Sequence, residues 1–274
     1  MNPELPIRKD LFGFTAIPFT NTIKKPYLDD QRKDVLNKLE SFLHYRGFAV
    51  LSGAPGCGKS VLLNFLCQQL NVNANKVVYI PFSILSENDM LKAICQRIDL
   101  QVLHNKARMI LSIQKRIQEI QPVNPVFVID EVQNINHNTL EIIRLITNFN
   151  FDSPSLISVI MAGTNEFLEL LRLRIHEPLR QRVTLFTKLK PLPLNHISLY
   201  INHHLSEAGA HQDLFPSSAL QLIYDASGGV PRIIDHLALA ALKEASSCQQ
   251  NTISLDHIHN AIEQVILPER EMIP

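Results

Sequence analysis

With 274 residues, of which 46% are hydrophobic and 19% charged, and a mean hydropathy of +0.03, the chain has the make-up of a packed globule, which excludes disorder over most of its length. Lys and Arg number 26 against 26 Asp and Glu, so no global field draws the protein onto nucleic acid or acidic membranes, and such binding must come from a local patch or from assembly. The four cysteines, Cys57, Cys67, Cys95 and Cys248, form no Cys-x-x-Cys pair, and no apolar run approaches the about 18 residues of a membrane span.

Met1 to Asp10 carries charges and two prolines where a secretory leader needs an apolar stretch, which points to the cytoplasm. Val35, Leu36, Leu39, Phe42 and Leu43 then recur at helical spacing and predict a helix over Arg32 to Arg46, closed by Gly47. Phe48 to Leu51 is a short continuous apolar run, as expected of a strand buried on both faces. A glycine-rich segment, Gly53 to Gly58, separates it from an amphipathic helix marked by Leu62, Leu63, Leu66 and Leu70. Val77 to Ile80 predicts a second strand, ended by Pro81. Two helices, Glu87 to Ile98 and Lys106 to Ile120, lead to a third strand, Val126 to Ile129. A helix through Leu140, Ile143 and Ile146 precedes a fourth strand, Leu156 to Ala162, and Val183 to Phe186 predicts a fifth. Short apolar strands alternating with helices predict an α/β fold with a parallel sheet covered on both faces, hence three layers. Beyond Pro191 and Pro193 only helical periodicities remain, in four segments around Ile201, Ile223, Leu237 and Ile258. The expected division is an α/β domain over 1–190, with an N-terminal extension at 1–31, and a small all-α lid over 191–274.

Gly53-Ala54-Pro55-Gly56-Cys57-Gly58-Lys59-Ser60 fits G-x-x-x-x-G-K-[ST] between a strand and a helix, and Val61 follows in the first helical turn. Glycines let successive amides and the helix N-terminus face phosphates, Lys59 suits the β/γ oxygens, and the Ser60 hydroxyl suits Mg²⁺. The cofactors expected are therefore ATP and Mg²⁺. Asp130 ends the third strand, where a parallel sheet opens towards ligand, and suits the magnesium shell. Glu131, next to it, suits the orienting of an attacking water. Gly163-Thr164-Asn165 ends the fourth strand in a polar tip that suits either a γ-phosphate sensor or a helix cap. Arg180 and Arg182 precede the fifth strand and Arg232 follows Gly228-Gly229-Val230-Pro231; near a nucleotide an arginine can neutralise transition-state charge, and elsewhere it is a solvated surface group. The histidines, including His203, His204, His257 and His259, show no metal-ligand spacing.

Taken together these motifs resemble an AAA+ ATPase over nearly the whole chain. More narrowly, Phe12-Gly13-Phe14 with Pro18-Phe19, Asp130-Glu131-Val132-Gln133-Asn134, Leu145-Ile146-Thr147-Asn148-Phe149 and Leu179-Arg180-Gln181-Arg182-Val183 are similar to the ExeA-type group. That group holds secretion ATPases and transposition ATPases of the TniB, TnsC and Mu B kind. The resemblance implies Thr164 or Asn165 as sensor 1, Arg182 ahead of Arg180 as arginine finger, and Arg232 as the sensor 2 arginine. Secretion members append a membrane helix and a cell-wall-binding domain, whereas this sequence stops at Pro274 after the lid, which favours the transposition branch. The function implied is an ATPase that self-associates with ATP into a ring or helical filament on double-stranded DNA, selects target sites and recruits a transposase or integrase, without membrane contact. The alternative is an ExeA-like secretion or protein-remodelling ATPase that binds no DNA. Lys106, Arg108, Lys115 and Arg116 offer either a phosphate-contacting stripe or a solvated helix face.

Overall fold

The computed structural model describes residues 7–20, 25–81, 86–149, 155–210 and 213–266. Residues 1–6 and 21–24 of the N-terminal extension and 267–274 of the helical part lie outside the described residues. In chain order the elements are α1 (Lys9–Phe12), α2 (Asp30–Tyr45), β1 (Gly47–Gly53), α3 (Lys59–Gln69), β2 (Asn75–Pro81), α4 (Glu87–Arg97), α5 (Lys106–Glu119), β3 (Asn124–Asp130), α6 (His137–Ile146), β4 (Ser158–Gly163), α7 (Asn165–Arg172), α8 (Glu177–Arg180), β5 (Val183–Leu189), α9 (Ile197–Glu207), α10 (Ser217–Ser227), α11 (Pro231–Ser247) and α12 (Leu255–Val265). They form two compact units, one of Asp30–Pro55 with Lys59–Leu189 and one of residues 7–29, 56–58 and 190–266.

The first unit is the expected α/β fold. Its five strands are all parallel, in the order β2-β3-β4-β1-β5. Every residue of β1, β3 and β4 is buried, which is why these segments read as unbroken apolar runs rather than alternating ones. Val50, Phe127, Ile129, Val159 and Met161 pack with Met90, Leu91, Ile94 and Ile113 of α4 and α5 and with Ile143 and Ile146 of α6. Each such side chain withdrawn from water contributes about 1.5–3 kcal/mol before its ordering cost. β5 lies at the end of the order with β1 as its neighbour, and its burial alternates, leaving Phe186 55% exposed.

Two expected boundaries move. Helix α2 ends at Tyr45, and Arg46, not Gly47, takes the first left-handed position, with φ 59°. Its guanidinium compensates by donating to the Gln121 side chain at 2.6 Å and to the carbonyls of Leu156 and Pro122 at 3.0 Å each. Because the Leu156 carbonyl is taken by Arg46 and by Gln121, β4 begins at Ser158 rather than Leu156.

In the second unit, helices α9 to α12 share a core that includes Ile201, Ile223, Leu237 and Ile258. Residues 7–20 and 25–29, which the sequence reading attached to the α/β part, group here because Phe12, Phe14 and Phe19 bury in that same core. The Arg8 amide donates to Ser246 Oγ at 2.9 Å and the Thr15 amide to the Ala208 carbonyl at 2.8 Å. A cluster of rings forms on α9: Tyr27 shares a 2.7 Å hydrogen bond with His196 Nδ1, and Tyr200 lies against His204. Burial pushes His204 down to about 3 and Asp235 up to about 7, and Tyr200 donates its hydroxyl to Asp235 at 2.7 Å. Among the described residues, no helix is long and apolar enough to cross a membrane.

Candidate functional site

Parallel register decides which residues meet. Ser52 of β1 sits beside Gly163 of β4, and Ile129 of β3 beside Met161 of β4. The carboxyl ends of β1, β4 and β3 therefore lie level, and Gly53, Thr164 and the Asp130-Glu131 pair emerge at one end of the sheet. This is the end at which parallel α/β sheets bind ligands.

After β1 the chain turns through Gly56 and Gly58, with φ of +78° and +94°, a conformation L side chains rarely adopt. A Cβ on Gly56 would stand 2.8 Å from Arg232 Cβ and 3.2 Å from Val230 Cγ1, whereas one on Gly58 would meet nothing within 4 Å. Residues 56–58 group with the helical unit, in which the Arg232 amide donates to the Gly56 carbonyl at 3.2 Å. Arg232 itself is exposed near the start of α11. Cys57 is fully buried; Ala54 is half-buried, and Pro55, Ser60 and Val61 are exposed. Lys59 opens α3 and is only 5% exposed, folding its ammonium under the loop to donate to the carbonyls of Gly53 at 2.9 Å and Ala54 at 3.2 Å.

At the end of β3, Asp130 is buried and both its oxygens are engaged: Oδ2 accepts from the Tyr79 hydroxyl at 3.0 Å and Oδ1 from the Glu131 amide at 2.9 Å. Burial, followed by the Asp130 carboxylate, pushes the Tyr79 phenol well above its ordinary value, so it stays a protonated donor. Glu131 takes a left-handed conformation, φ 55° and ψ 38°, between the strand and a 3-10 turn over Val132–Asn134. Its Oε2 accepts from Gln133 Nε2 at 2.5 Å, and Gln133 Oε1 accepts from the Thr164 amide at 3.2 Å. Thr164 is buried, stands at the N-cap position of α7 and gives its hydroxyl to Glu166 without accepting from a helix amide; that bond chiefly holds the Glu166 carboxyl below the usual range, with a smaller contribution from Lys59. Asn165, one residue on, is exposed.

The arginines before β5 differ in their surroundings. Arg182 donates Nη1 to the Arg144 carbonyl and to Thr147 Oγ1 at 3.3 Å each, and Nη2 to Asn148 Oδ1 at 3.1 Å. It thus sits on the C-terminal end of α6, where carbonyls concentrate negative charge. Arg180 is 39% exposed, with Nη1 on the Arg172 carbonyl at 3.2 Å and Nη2 at 4.0 Å from Glu177. Of the basic residues on α5, Lys106 pairs with Glu87, while Lys115 and Arg116 both lie 3.8 Å from Glu119, pairings that fit a solvated helix face.

Residues 42–171 match the AAA domain family model. Over that stretch the chain is similar to an AAA domain. General secretion pathway protein A of Aeromonas hydrophila is 31% identical to it over 240 residues, covering 84% of this chain and 43% of that protein. The chain therefore spans less than half the length of that relative. The ORC2 protein of Aeropyrum pernix, solved in ADPNP-ADP complexes, superposes with a TM-score of 0.70 at 15% identity, over 92% of this chain and 72% of its own. The ORC1 protein of the same organism, solved in complex with DNA, also reaches 0.70, at 16% identity, over 90% and 68%. At these identities the likeness is one of fold, that of P-loop AAA+ ATPases with a helical C-terminal part.

The sequence motifs around the strand ends name Lys59, Ser60, Asp130, Glu131 and Thr164 individually. They do not single out Tyr79, Gln133 or Glu166, which belong to the same end of the sheet. Strand adjacency is the missing information: β2 pairs with β3 so that Pro81 faces Asp130, which brings Tyr79 within reach of that carboxylate.

Proposed function

We propose that the α/β unit binds ATP with Mg²⁺ and hydrolyses it. The observation that carries this reading is the alignment, at one end of the sheet, of a glycine-turned loop opening α3 with the buried Asp130 and the half-buried Glu131. The loop fits a polyphosphate: its glycines take the positive φ values that let successive amides converge on an anion, Gly58 leaves room for close approach, and the Lys59 ammonium lies beneath. Ser60 and Asp130 would hold the magnesium ion, which neutralises charge on the phosphates. Each Asp130 oxygen accepts one hydrogen bond, from Tyr79 or from the Glu131 amide, among the described residues, and a carboxylate oxygen can accept more than one.

Glu131 orients a water. As the water oxygen bonds to the γ-phosphorus, the bond to the bridging oxygen of ADP breaks, and the proton given up by water passes by way of the carboxylate to phosphate and solvent. In this reading Thr164, with Asn165 at the surface beside it, senses the γ-phosphate, and Arg232 contacts the nucleotide. The resemblance puts Arg182 ahead of Arg180 as the arginine that reaches a neighbouring subunit's nucleotide; we propose Arg180 instead, because Arg182 makes three hydrogen bonds within its own chain and Arg180 one. The helical part, residues 191–266, acts in this reading as a lid domain to an α/β domain ending near residue 190.

In the finer reading, ATP assembles copies of the chain on double-stranded DNA as a ring or filament that recruits a transposase, and hydrolysis releases it. Its support is the ExeA-type motifs and a fold shared with a DNA-bound ORC1 protein. A second reading, a secretion-linked ATPase without DNA binding, is favoured by the likeness to general secretion pathway protein A.

Titration calorimetry with ATP and ADP in magnesium tests the common part. Lys59→Ala loses binding and Glu131→Gln keeps binding but loses turnover; a wild-type protein with no affinity for adenine nucleotides ends the proposal. Co-sedimentation and electron microscopy with duplex DNA at two salt concentrations separate the finer readings. Assembly that needs ATP and weakens with salt supports the first, and its absence supports the second.

A further inference from the structure

Resting on the ATPase reading, we infer that Gln133 is a positioning residue that holds the Glu131 carboxylate and ties it to the first turn of α7. The chain reverses at Glu131 in a left-handed conformation, which is strained for a non-glycine residue and persists only where neighbours fix it. The 3-10 turn that follows brings Gln133 back beside Glu131, and its amide bridges two strands: Nε2 donates to Glu131 Oε2 at 2.5 Å while Oε1 accepts from the Thr164 amide at 3.2 Å.

The chemistry of the partners dictates which way this amide points. A carboxylate only accepts and a backbone N–H only donates, so turning the amide over would set oxygen against oxygen and N–H against N–H. Glycine at 163 makes room for it, since a Cβ there would stand 3.0 Å from Gln133 Oε1 and 2.7 Å from Val132 Cγ2. Thr164 is both the tip of β4 and the cap of α7. A ligand that draws on Thr164 or Asn165 therefore displaces the acceptor end of the same amide whose donor end sets the carboxylate. Gln133 thus carries the state of the β4 tip to the residue that orients water, without touching the reacting atoms.

The test is a double-mutant cycle on the full chain. Gln133→Leu keeps the volume and removes both hydrogen bonds; Gln133→Glu keeps the shape and replaces the donor with a second carboxylate. Both lower kcat, Leu by about tenfold and Glu by more, while the ATP dissociation constant measured in the Glu131→Gln background stays within about twofold. The decisive value is that Glu131→Gln with Gln133→Leu is no slower than Glu131→Gln alone, because a residue acting through Glu131 has nothing left to act on. A purely structural role would instead reduce the two independently. If Gln133→Leu does not fold, judged by its thermal midpoint, the near-isosteric Gln133→Glu carries the same comparison. Turnover cut by Glu131→Gln to a residual single-turnover rate but untouched by both Gln133 variants, or additive losses from that residual rate in the double variant, overturns the inference and leaves the ATPase reading standing. Absence of turnover in the wild type overturns that reading instead.

Discussion

The two arginines before β5 are separable by experiment, because the structure gives them different work. Arg182→Ala removes three hydrogen bonds from a charged donor to the end of α6, at 3.1 to 3.3 Å, together with a favourable charge at a helix C-terminus. Bonds to a charged group contribute about 1.5–3 kcal/mol each at best, and these are long and partly open to water. A combined loss of about 2–3 kcal/mol is therefore expected, or about 5–10 °C in thermal midpoint for a chain of this size. Arg180→Ala removes one carbonyl contact and an exposed pairing at 4.0 Å, for which about 0.5 kcal/mol or less is expected. Urea denaturation of the two variants, beside ATPase assays over a range of protein concentration, reads both quantities. Arg180→Ala should remain as stable as wild type and lose turnover only where subunits associate. An equal mixture of Arg180→Ala and Glu131→Gln, each inactive alone, should then regain activity, since some interfaces combine an intact carboxylate with an intact arginine. Equal destabilisation by the two substitutions would refute the docking argument, and no regain in the mixture would refute the assignment in trans.

Gly163→Ala forces a methyl to 2.7 Å from Val132 and 3.0 Å from Gln133; overpacking of this kind costs about 1–3 kcal/mol, and turnover should fall with stability. An Ala at 163 that left both unchanged would contradict the crowding at the tip of β4. Gly56→Ala combines a positive φ with a 2.8 Å approach to Arg232 Cβ and should weaken nucleotide binding in calorimetry by about tenfold; unaltered affinity would refute the strain argument. Asp235 supplies a pH test. Its folded-state value of about 7 lies above the ordinary 3.8, so the folded chain holds the extra proton and this group's contribution to stability falls as pH rises from about 4 to about 7. Asp235→Asn lacks that fall, and its stability relative to wild type should improve by about 1–3 kcal/mol between pH 5 and pH 8 in urea titrations. His204, driven to about 3, acts in the opposite sense, adding stability as pH climbs from about 3 to about 6.5, and does so in both proteins. A constant difference between the two proteins across that range would contradict the burial of Asp235.

Local pattern carried much of the fold and part of the site. Strands buried on both faces advertise themselves as unbroken apolar runs, and Phe127 and Val128 illustrate it. The loop ending in Lys59 and Ser60 and the acidic pair after Ile129 are legible because their residue types and their place after a strand are both local. What depended on long-range adjacency was hidden. The Gln133 amide becomes informative only when β3 and β4 are known to be neighbours, and Arg182 reaches partners 34 to 38 positions away. The segment 7–29 shows Phe12, Phe14 and Phe19 plainly enough, yet nothing in those residues says which core receives them. The end of α2 failed for another reason: glycine is the usual left-handed residue, and the side-chain bonds that let Arg46 take that place lie on β3's approach and before β4.

Along β5 the backbone groups facing away from β1 have no strand beside them among the described residues. A passing extended chain would find a template there, with the Phe186 ring as its adhesive. Lys188, two residues on, puts a hydrated charge on the same exposed register, and burying that ammonium against a second chain would oppose such self-recognition.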